Sequence, residues 1–535
     1  MKYTEPMKVI EKFNYLRGQR GMWESLWQDL ADFIQPRKDE VQFSRVSGER
    51  KFVNLLDSTA MTNNELLAGA LHGMLTNPSG YFFNLSTGSP ELDKKDAVRK
   101  WIQATVRVIH DTLNNTNFQT EVHEVYLDLG GFGTACMFVD EDKDTHIRFS
   151  TKPLKEIFAD ENSKGVIDCV YRCFEMDARG IVEDFGKDGK PDGLPKKIVD
   201  AFKGNKPTKF EIIHAVYPQQ KGKDSNKVFK FVSQYIFVAE KVNLDVQGYR
   251  ENPYLVPRWS KISGEVYGRG PGEKALPSAK TLNVMRETVL KGAQKVVDPP
   301  LQAPDDGFIT QVDTRPAGIS YYRAGSDDRI APIFADTRLD FGFQAIDQER
   351  LQVREAFYSD QLKLREGPQM TAKEVEERVE QALRFLGPML GRQQFEFLQP
   401  LIERVYAILD RKGLIPPVPA ELADKPLKIQ YSSVMAMSQR LSELGNIQRT
   451  MQNIAPFASS DPTVLDNING DAAVKFIGGL LNFPQEMIRD KGDVEQMRKQ
   501  RAELQQQQLQ AEQQMNMADG VSKVMGAAAK TKAGA

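Results

Sequence analysis

An apolar stripe at helical spacing, running from Val375 to Ile408, constrains this chain more than any other feature. Val375, Val379, Leu383, Leu386, Leu390, Phe397, Leu401, Val405 and Ile408 recur on one face. Thr371-Ala-Lys-Glu374 opens the stretch as a capping box, in which the threonine hydroxyl and the glutamate each satisfy an orphan amide. Gly413, Pro416 and Pro417 close it. A straight helix of that length would span about 60 Å at 1.5 Å per residue. Pro388 and Pro400 forbid straightness, because each lacks an amide donor and crowds the carbonyl four residues back.

Two further helices precede this spine. Ser278–Val297 carries Leu282, Met285, Val289, Ala293 and Val296 on one stripe, with Pro277 near its start and Pro299-Pro300 after its end. Asp340–Tyr358 carries Phe343, Ile346, Val353 and Phe357 on a looser one. Between them, residues 298–337 are rich in proline and glycine, with strand-like pieces at Ile319–Arg323 and Arg329–Phe334. A long bent helix beside a helical hairpin suggests a subunit built to stand among copies of itself.

The rest of the chain reads in two blocks and a tail. Amphipathic helices are expected over residues 6–35, Asp57–Leu75, Leu92–Leu113 and Gln119–Leu129, with a short strand at Tyr81–Leu85. From Gly130 the period becomes alternating. Thr134–Val139, His146–Ser150, Val166–Glu175, Phe210–Tyr217 and Val228–Ala239 read as strands of an antiparallel meander, which makes residues 1–260 an α+β domain. One more strand is expected at Leu427–Met435. Shorter helices follow at Ser438–Ile454, Pro462–Ile468, Asp471–Leu481 and Gln485–Lys491. From Asp493 the chain turns polar and glutamine-rich, keeping helical propensity but offering little to bury.

Composition narrows the function. The 535 residues carry 71 basic and 73 acidic side chains, a net charge of -2. The basic surplus of a tight nucleic-acid binder is absent. Three cysteines are too few for a disulfide framework, which points to a reducing compartment. The first residues lack the apolar core of a signal peptide, and no apolar run approaches the length of a membrane span.

The candidate sites fail their chemical tests. Gly268-Arg-Gly-Pro-Gly-Glu-Lys274 departs from a phosphate loop because Glu273 separates glycine from lysine and Ala275 stands where a hydroxyl is needed, so a chain-reversal loop is expected. Gly130-Gly-Phe-Gly133 reads as a sharp turn between helix and strand. Asp140-Glu-Asp-Lys-Asp144 resembles the start of a calcium loop, but Thr145 and Thr151 occupy the positions of the required glycine and glutamate, which leaves a solvated hairpin tip. Cys169 and Cys173 have the wrong gap for a zinc pair and would share one face of a strand, with His214 in another strand. No nucleophilic constellation, metal set or cofactor motif emerges, so no catalytic residue is assigned and no cofactor is expected. Ser359–Met370 separates two long helices and carries Lys363 and Arg365. Alone it would be an exposed connector. In a ring it would repeat around an axis, and Lys363 and Arg365 would form circles of charge facing whatever passes through.

At four places the chain resembles the head-to-tail connecting (portal) proteins of short-tailed bacteriophages. These are Leu56-Asp-Ser-Thr-Ala60 running to Leu71-His-Gly-Met-Leu-Thr-Asn-Pro78; Pro257-Arg-Trp259 with Gly264-Glu-Val-Tyr-Gly-Arg-Gly-Pro271; Met370-Thr-Ala-Lys-Glu-Val-Glu-Glu-Arg378; and Leu386-Gly-Pro388 with Gly391-Arg-Gln-Gln-Phe-Glu-Phe-Leu398 and Pro400-Leu-Ile402. The resemblance covers nearly the full length.

It implies the portal fold, an α+β subunit with wing, stem, clip and crown, closing into a ring, usually a dodecamer, at one capsid vertex. Residues 1–260 would form most of the wing, 261–297 a loop and the first stem helix, and 298–337 the clip. The second stem helix would be 338–358, the tunnel loop 359–370, and the long kinked helix with its return strand 371–435. Residues 436–535 would make the crown and a polar tail. Double-stranded DNA would pass through the channel during packaging and ejection. The implied partners are the terminase large subunit, a tail adaptor protein, and the major capsid and scaffolding proteins, with no membrane. The family hydrolyses no ATP and allots no catalytic residues. The competing readings are a DNA-processing enzyme, either nuclease or packaging ATPase, and an internal scaffolding protein without a channel.

Overall fold

A computed structural model describes residues 4–298 with short internal exceptions (39, 43–47, 50–54, 94, 188, 205–207 and 220–227). It further describes 301–302, 331–332, 340–362, 386–422, 428–431, 469–480, 492–508 and scattered positions in 445–456 and at 510. Two compact units emerge. One comprises Met1–Asn84, Arg107–Ile415 and Ile429–Ser438, and the other Leu85–Val106, Pro416–Lys428 and Gln439–Ala535.

The first unit is built on a sheet. Strands β4 (Ile157–Glu161), β5 (Ile167–Asp177), β6 (Lys209–Pro218), β7 (Phe231–Phe237) and β8 (Val242–Tyr249) pair in sequence order. Every pairing in this sheet is antiparallel, so the expected meander is present. Side chains alternate across it, as a pleated strand requires. Ile213 and Ala215 face a core shared with Val9, Ile10, Phe13 and Leu16 of helix α1 (Pro6–Phe33). Val216, one residue on, faces the opposite core with Cys136, Phe138 and Tyr254. Phe138 and Tyr254 belong to a smaller sheet in the order β3 (Ile147–Thr151), β2 (Met137–Glu141), β9 (Tyr254–Leu255), and Cys136 directly precedes β2.

Sequence periodicity missed several short elements here. β4 is five residues long, and β8, with Asn243, Asp245 and Gly248, is too polar to stand out. The run expected as a strand over Val228–Ala239 holds β7, and the chain then turns through Lys241, at φ 56, into β8. Two eight-residue helices, α6 (Ala178–Phe185) and α7 (Lys196–Lys203), connect β5 to β6 and pack Ile181 and Ile198 on Ile212.

Helices α2 (Thr59–Leu75), α5 (Phe118–Phe132), α8 (Pro271–Val297) and α9 (Asp340–Ala356) also belong to the first unit, with the short α10 (Ser359–Leu362). Two glycine-rich segments that read as separate turns are one packing contact. α5 continues through Gly130 and Gly131, and only Gly133 turns, in the left-handed region at φ 78. α8 starts at Pro271, seven residues before the expected Ser278, so Pro277 lies inside it. The two helix ends abut. A methyl group at Gly133 would stand 2.3 Å from the Gly270 nitrogen, and one at Gly272 would stand 2.2 Å from the Gly131 carbonyl. Only hydrogen fits there, so these glycines serve backbone approach, not phosphate binding.

The spine is described from Leu386 onward; its expected start, 371–385, lies outside the described residues. Residues 386–393 are helical and run into a π turn, Gln394–Leu398, which continues as α11 (Gln399–Arg411). The π turn has a local cause. Pro400 offers no amide to the carbonyl of Glu396, and the Gln399 amide reaches back five residues to Gln394. Gly413, at φ 68, ends the helix as expected.

The second unit contains α3 (Pro90–Asp93), the first half of α4 (Asp96–Asn115) and α12 (Gly470–Leu480). Asp93 fastens its start, accepting from Ser86 Oγ at 2.7 Å and the Thr87 amide at 3.0 Å. Trp101 Nε1 donates to the Pro416 carbonyl at 2.9 Å. The glutamine-rich stretch is helical over 492–508, and its Arg498 pairs with Asp471 at 2.6 Å. Among the described residues no helix is long and apolar enough to cross a membrane.

Candidate functional site

Lys363 and Arg365 lie outside the described residues, as does most of 298–337. Of the latter, Leu301–Gln302 (β10) pairs antiparallel with Ala331–Pro332 (β11), the second within the expected strand piece. The structure does describe how the chain approaches Lys363 and how it returns. Approach is through α9, a turn at Tyr358 in the left-handed region (φ 59), and α10. Return is through Leu386 and the π turn. Both approaches rest on one dipeptide, Arg258-Trp259.

Trp259 stacks on Tyr358 with ring centroids 6.3 Å apart and planes at 24°. Arg258 is 1% exposed, and its guanidinium grips Glu396 of the π turn through two nitrogens, Nε to Oε2 at 3.1 Å and Nη2 to Oε1 at 2.9 Å. The same arginine donates to Glu161 Oε2 at 3.1 Å and to the carbonyls of Val266 and Gly165 at 3.0 and 2.8 Å. Lys261 adds a second cation to Glu161 at 2.6 Å. Burial alone would raise the Glu161 carboxyl, but hydrogen bonds from Lys261 and Arg258 outweigh it and hold it below the usual range. Gln393 Nε2 then donates to the Arg258 carbonyl at 2.7 Å. A buried guanidinium with two carboxylates and two carbonyls is the arrangement that makes such a charge tolerable away from water.

The α8/α9 hairpin is bracketed at its base by the start of α2. The Leu56 amide donates to Asn283 Oδ1 at 2.7 Å, and Arg350 Nη2 reaches Asp57 Oδ2 at 2.7 Å. Asp57 Oδ1 meanwhile accepts from the Thr59 amide at 2.9 Å, satisfying the first amide of α2 from the residue before Ser58. Burial pushes the Asp57 carboxyl up, yet the bonds from Thr59 and Arg350 prevail and keep it below its ordinary value. Beyond this base the hairpin is thinly covered. Leu282 is buried, Met285, Val289 and Ala293 are half-buried, and Val296 is exposed, so the expected stripe holds only at its near end. On α9, Ile346 and Val353 are buried as expected, as is Phe357 just after its end, but Phe343 is 50% exposed. Val284, Leu290, Phe341 and Leu351 are exposed too. The two helices approach closely at Gly342, where a methyl group would meet Val289 at 2.7 Å.

The other candidates resolve as structure. Asp142 Oδ2 accepts from the Thr145 amide and hydroxyl at 2.9 and 2.8 Å, closing the hairpin tip with bonds a cation would have needed. Cys169 and Cys173 pack on one core under α1, and all three cysteines are free. His214 is buried, with Nδ1 2.7 Å from Tyr254 Oη and Nε2 2.9 Å from Ser233 Oγ. Among the described residues no group of His, Cys, Asp and Glu could hold a metal. Sequence reasoning missed the pairs Arg258–Glu396 and Asp57–Arg350, although each has a member in a quoted motif.

A family model described as "Bacteriophage head to tail connecting protein" matches residues 7–488. Two relatives align over nearly their whole length. One, the "Probable portal protein" of Bordetella phage BPP-1, is 31% identical over 523 residues, 95% of this chain and 93% of that protein. The other, the "Portal protein" of Salmonella phage epsilon15, is 29% identical over 535 residues, covering 97% and 94%. With the match spanning the α+β unit and the α8/α9 hairpin, the chain belongs to the bacteriophage head-to-tail connecting protein family.

Proposed function

We propose that this protein is the portal of a short-tailed phage: a ring of identical subunits, twelve by family analogy, at one capsid vertex. Double-stranded DNA passes through its channel inward during packaging and outward during ejection. The observation that carries this reading is the alignment with two portal proteins over more than nine-tenths of each chain. The apolar side chains left exposed on α8 and α9 support it, since a heterologous interface with a closing rotation would cover them with a neighbouring copy.

In this reading 298–337 forms the clip that meets the terminase large subunit and later a tail adaptor, while 1–260 faces capsid and scaffolding proteins. Residues 359–370 border the channel, and Lys363 and Arg365 supply sparse basic rings. A net charge of -2 per copy suits a lumen through which DNA must slide, because each neutralised phosphate adds to a salt-dependent grip. The protein works as a passage and not as an enzyme; the glycines at the start of α8 are occupied by the backbone of α5 and leave no phosphate cradle. Charge reversal at both positions, Lys363→Glu with Arg365→Glu, tests the assignment of the rings. Packaging should fall while ring assembly persists. Loss of assembly instead would make the two residues structural.

A further inference from the structure

Four polar side chains of the first unit form a continuous chain of hydrogen bonds from α2 to the turn that follows it. His72 Nε2, on α2, lies 2.7 Å from Gln119 Oε1, on α5. Gln119 Nε2 donates to Asn114 Oδ1 at 2.9 Å. Asn114 Nδ2, near the end of α4, donates to the Pro78 carbonyl at 3.2 Å and lies 3.4 Å from His110 Nδ1. His110, 9% exposed, reaches the Gly80 carbonyl through Nε2 at 3.1 Å. These partners fix the protons. An amide oxygen only accepts, so His72 carries its proton on Nε2. The Gly80 carbonyl likewise places the His110 proton on Nε2 and leaves Nδ1 bare for Asn114. Every link therefore runs from donor to acceptor in one direction, and the chain ties the exposed turn at 77–80 by two carbonyls.

We propose that this chain is an acid-operated switch that releases the turn at 77–80. A proton entering at His110 Nδ1 sets two donors face to face. Asn114 relieves them by turning its amide, which offers its oxygen to His110, withdraws its N–H from Pro78 and presents that N–H to Gln119. Gln119 turns in answer and presents its own N–H to His72 Nε2. His72 gives its Nε2 proton to water and takes one at Nδ1, so it stays neutral and the net uptake is one proton. A second proton on His72 would block the turn of Gln119, and His123 works against that proton. Its ring centroid lies 6.0 Å from that of His72, and a charge on either ring disfavours one on the other. Glu65 and Glu124 favour a charge at His123, and Arg37 opposes it. Tyr81 lies against His110 with ring centroids 4.7 Å apart, and Tyr126 lies 6.5 Å from His72; both are phenols, which ionise well above an imidazole. On α4, Arg107 and Asp111 pair with each other at 3.8 Å.

Hydrogen-exchange mass spectrometry of the full-length protein tests this, in steps from pH 7.5 to 5.5 across the range of imidazole titration, with exchange times scaled for intrinsic amide chemistry. On acidification the peptide spanning 77–80 should lose protection about fivefold, the worth of one hydrogen bond, while peptides within α2 and α5 hold theirs. His110→Gln takes up no proton there and should abolish the pH dependence. Asn114→Asp accepts where the amide donated, so it should release the turn already at pH 7.5. Gln119→Glu can bond to Asn114 only when that amide is turned, so it should move the transition to higher pH. A parent protein whose turn ignores pH, a transition that survives His110→Gln, a midpoint unmoved by Gln119→Glu, or a loss of protection spread evenly over the chain would each overturn the proposal.

Discussion

Arg258 and Glu396 lie 138 positions apart, yet they form a two-nitrogen ion pair in which the arginine is 1% exposed. Because Glu396 sits in the π turn and Trp259 stacks on Tyr358, this contact ties both sides of segment 359–385 to one loop. Glu396→Gln leaves the buried Arg258 with Glu161 as its one carboxylate, and Arg258→Met leaves Glu396 with Arg392 and Glu161 with Lys261. Each should therefore destabilise the fold by about 1–3 kcal/mol, the cost of buried hydrogen bonds lost to charged groups. The double replacement by apolar residues should recover much of that loss, and chemical denaturation of the four proteins measures the coupling.

Asp57 links α2 to α9 through Arg350 while holding the first amide of α2, at Thr59. Asp57→Ala should cost about 1–3 kcal/mol through the lost bonds to the Thr59 amide and Arg350. The pH dependence has a definite sign. The folded carboxyl lies below its ordinary value, so its contribution is complete above the unfolded pKa near 4 and is lost as pH falls through the lower folded value. Below that range the variant and the parent should converge in stability.

His214 gives the opposite kind of acid sensitivity. Burial, reinforced by Arg172 and Lys152, holds the imidazole well below its usual pKa, so it stays neutral when folded. The unfolded chain takes up the proton below about pH 6.5. Stability is therefore full above that pH and falls by about 1.4 kcal/mol per unit below it. Replacement His214→Gln should flatten this slope between pH 6.5 and 5 while lowering stability at pH 7. Thermal melts at four pH values would read both effects.

The contact between α5 and α8 predicts the most severe single substitutions. Gly133→Ala meets backbone at 2.3 Å in a left-handed conformation, and Gly272→Ala meets backbone at 2.2 Å. Neither neighbour is a side chain that can swing away. Both should prevent native folding, seen as insoluble expression. Gly18→Ala, with nothing within 4 Å and an ordinary helical backbone, should be neutral or mildly stabilising.

Much of this architecture was legible in the sequence because period alone specifies it. The alternating runs from Gly130 became an antiparallel meander, and the stops at Gly133 and Gly413 fall where left-handed turns occur. Elements too short to show a period were missed, as with α6, α7 and β4. Long-range pairing was not legible at all. Nothing local in Pro257-Arg-Trp259 reveals that its arginine meets a glutamate 138 positions on, or that Gly130–Gly133 is half of a contact with Gly268–Gly272. The stripe on α8 was legible at Leu282 but not toward Val296, which is exposed in the isolated subunit. Lys363 and Arg365 fall outside the described residues, so their placement rests on the family resemblance.

Electron microscopy of the purified protein in negative stain tests the portal assignment most directly. Closed rings with a stain-filled centre, wide enough for a DNA duplex, are the predicted result. A population of monomers, or particles with no central opening, would contradict it.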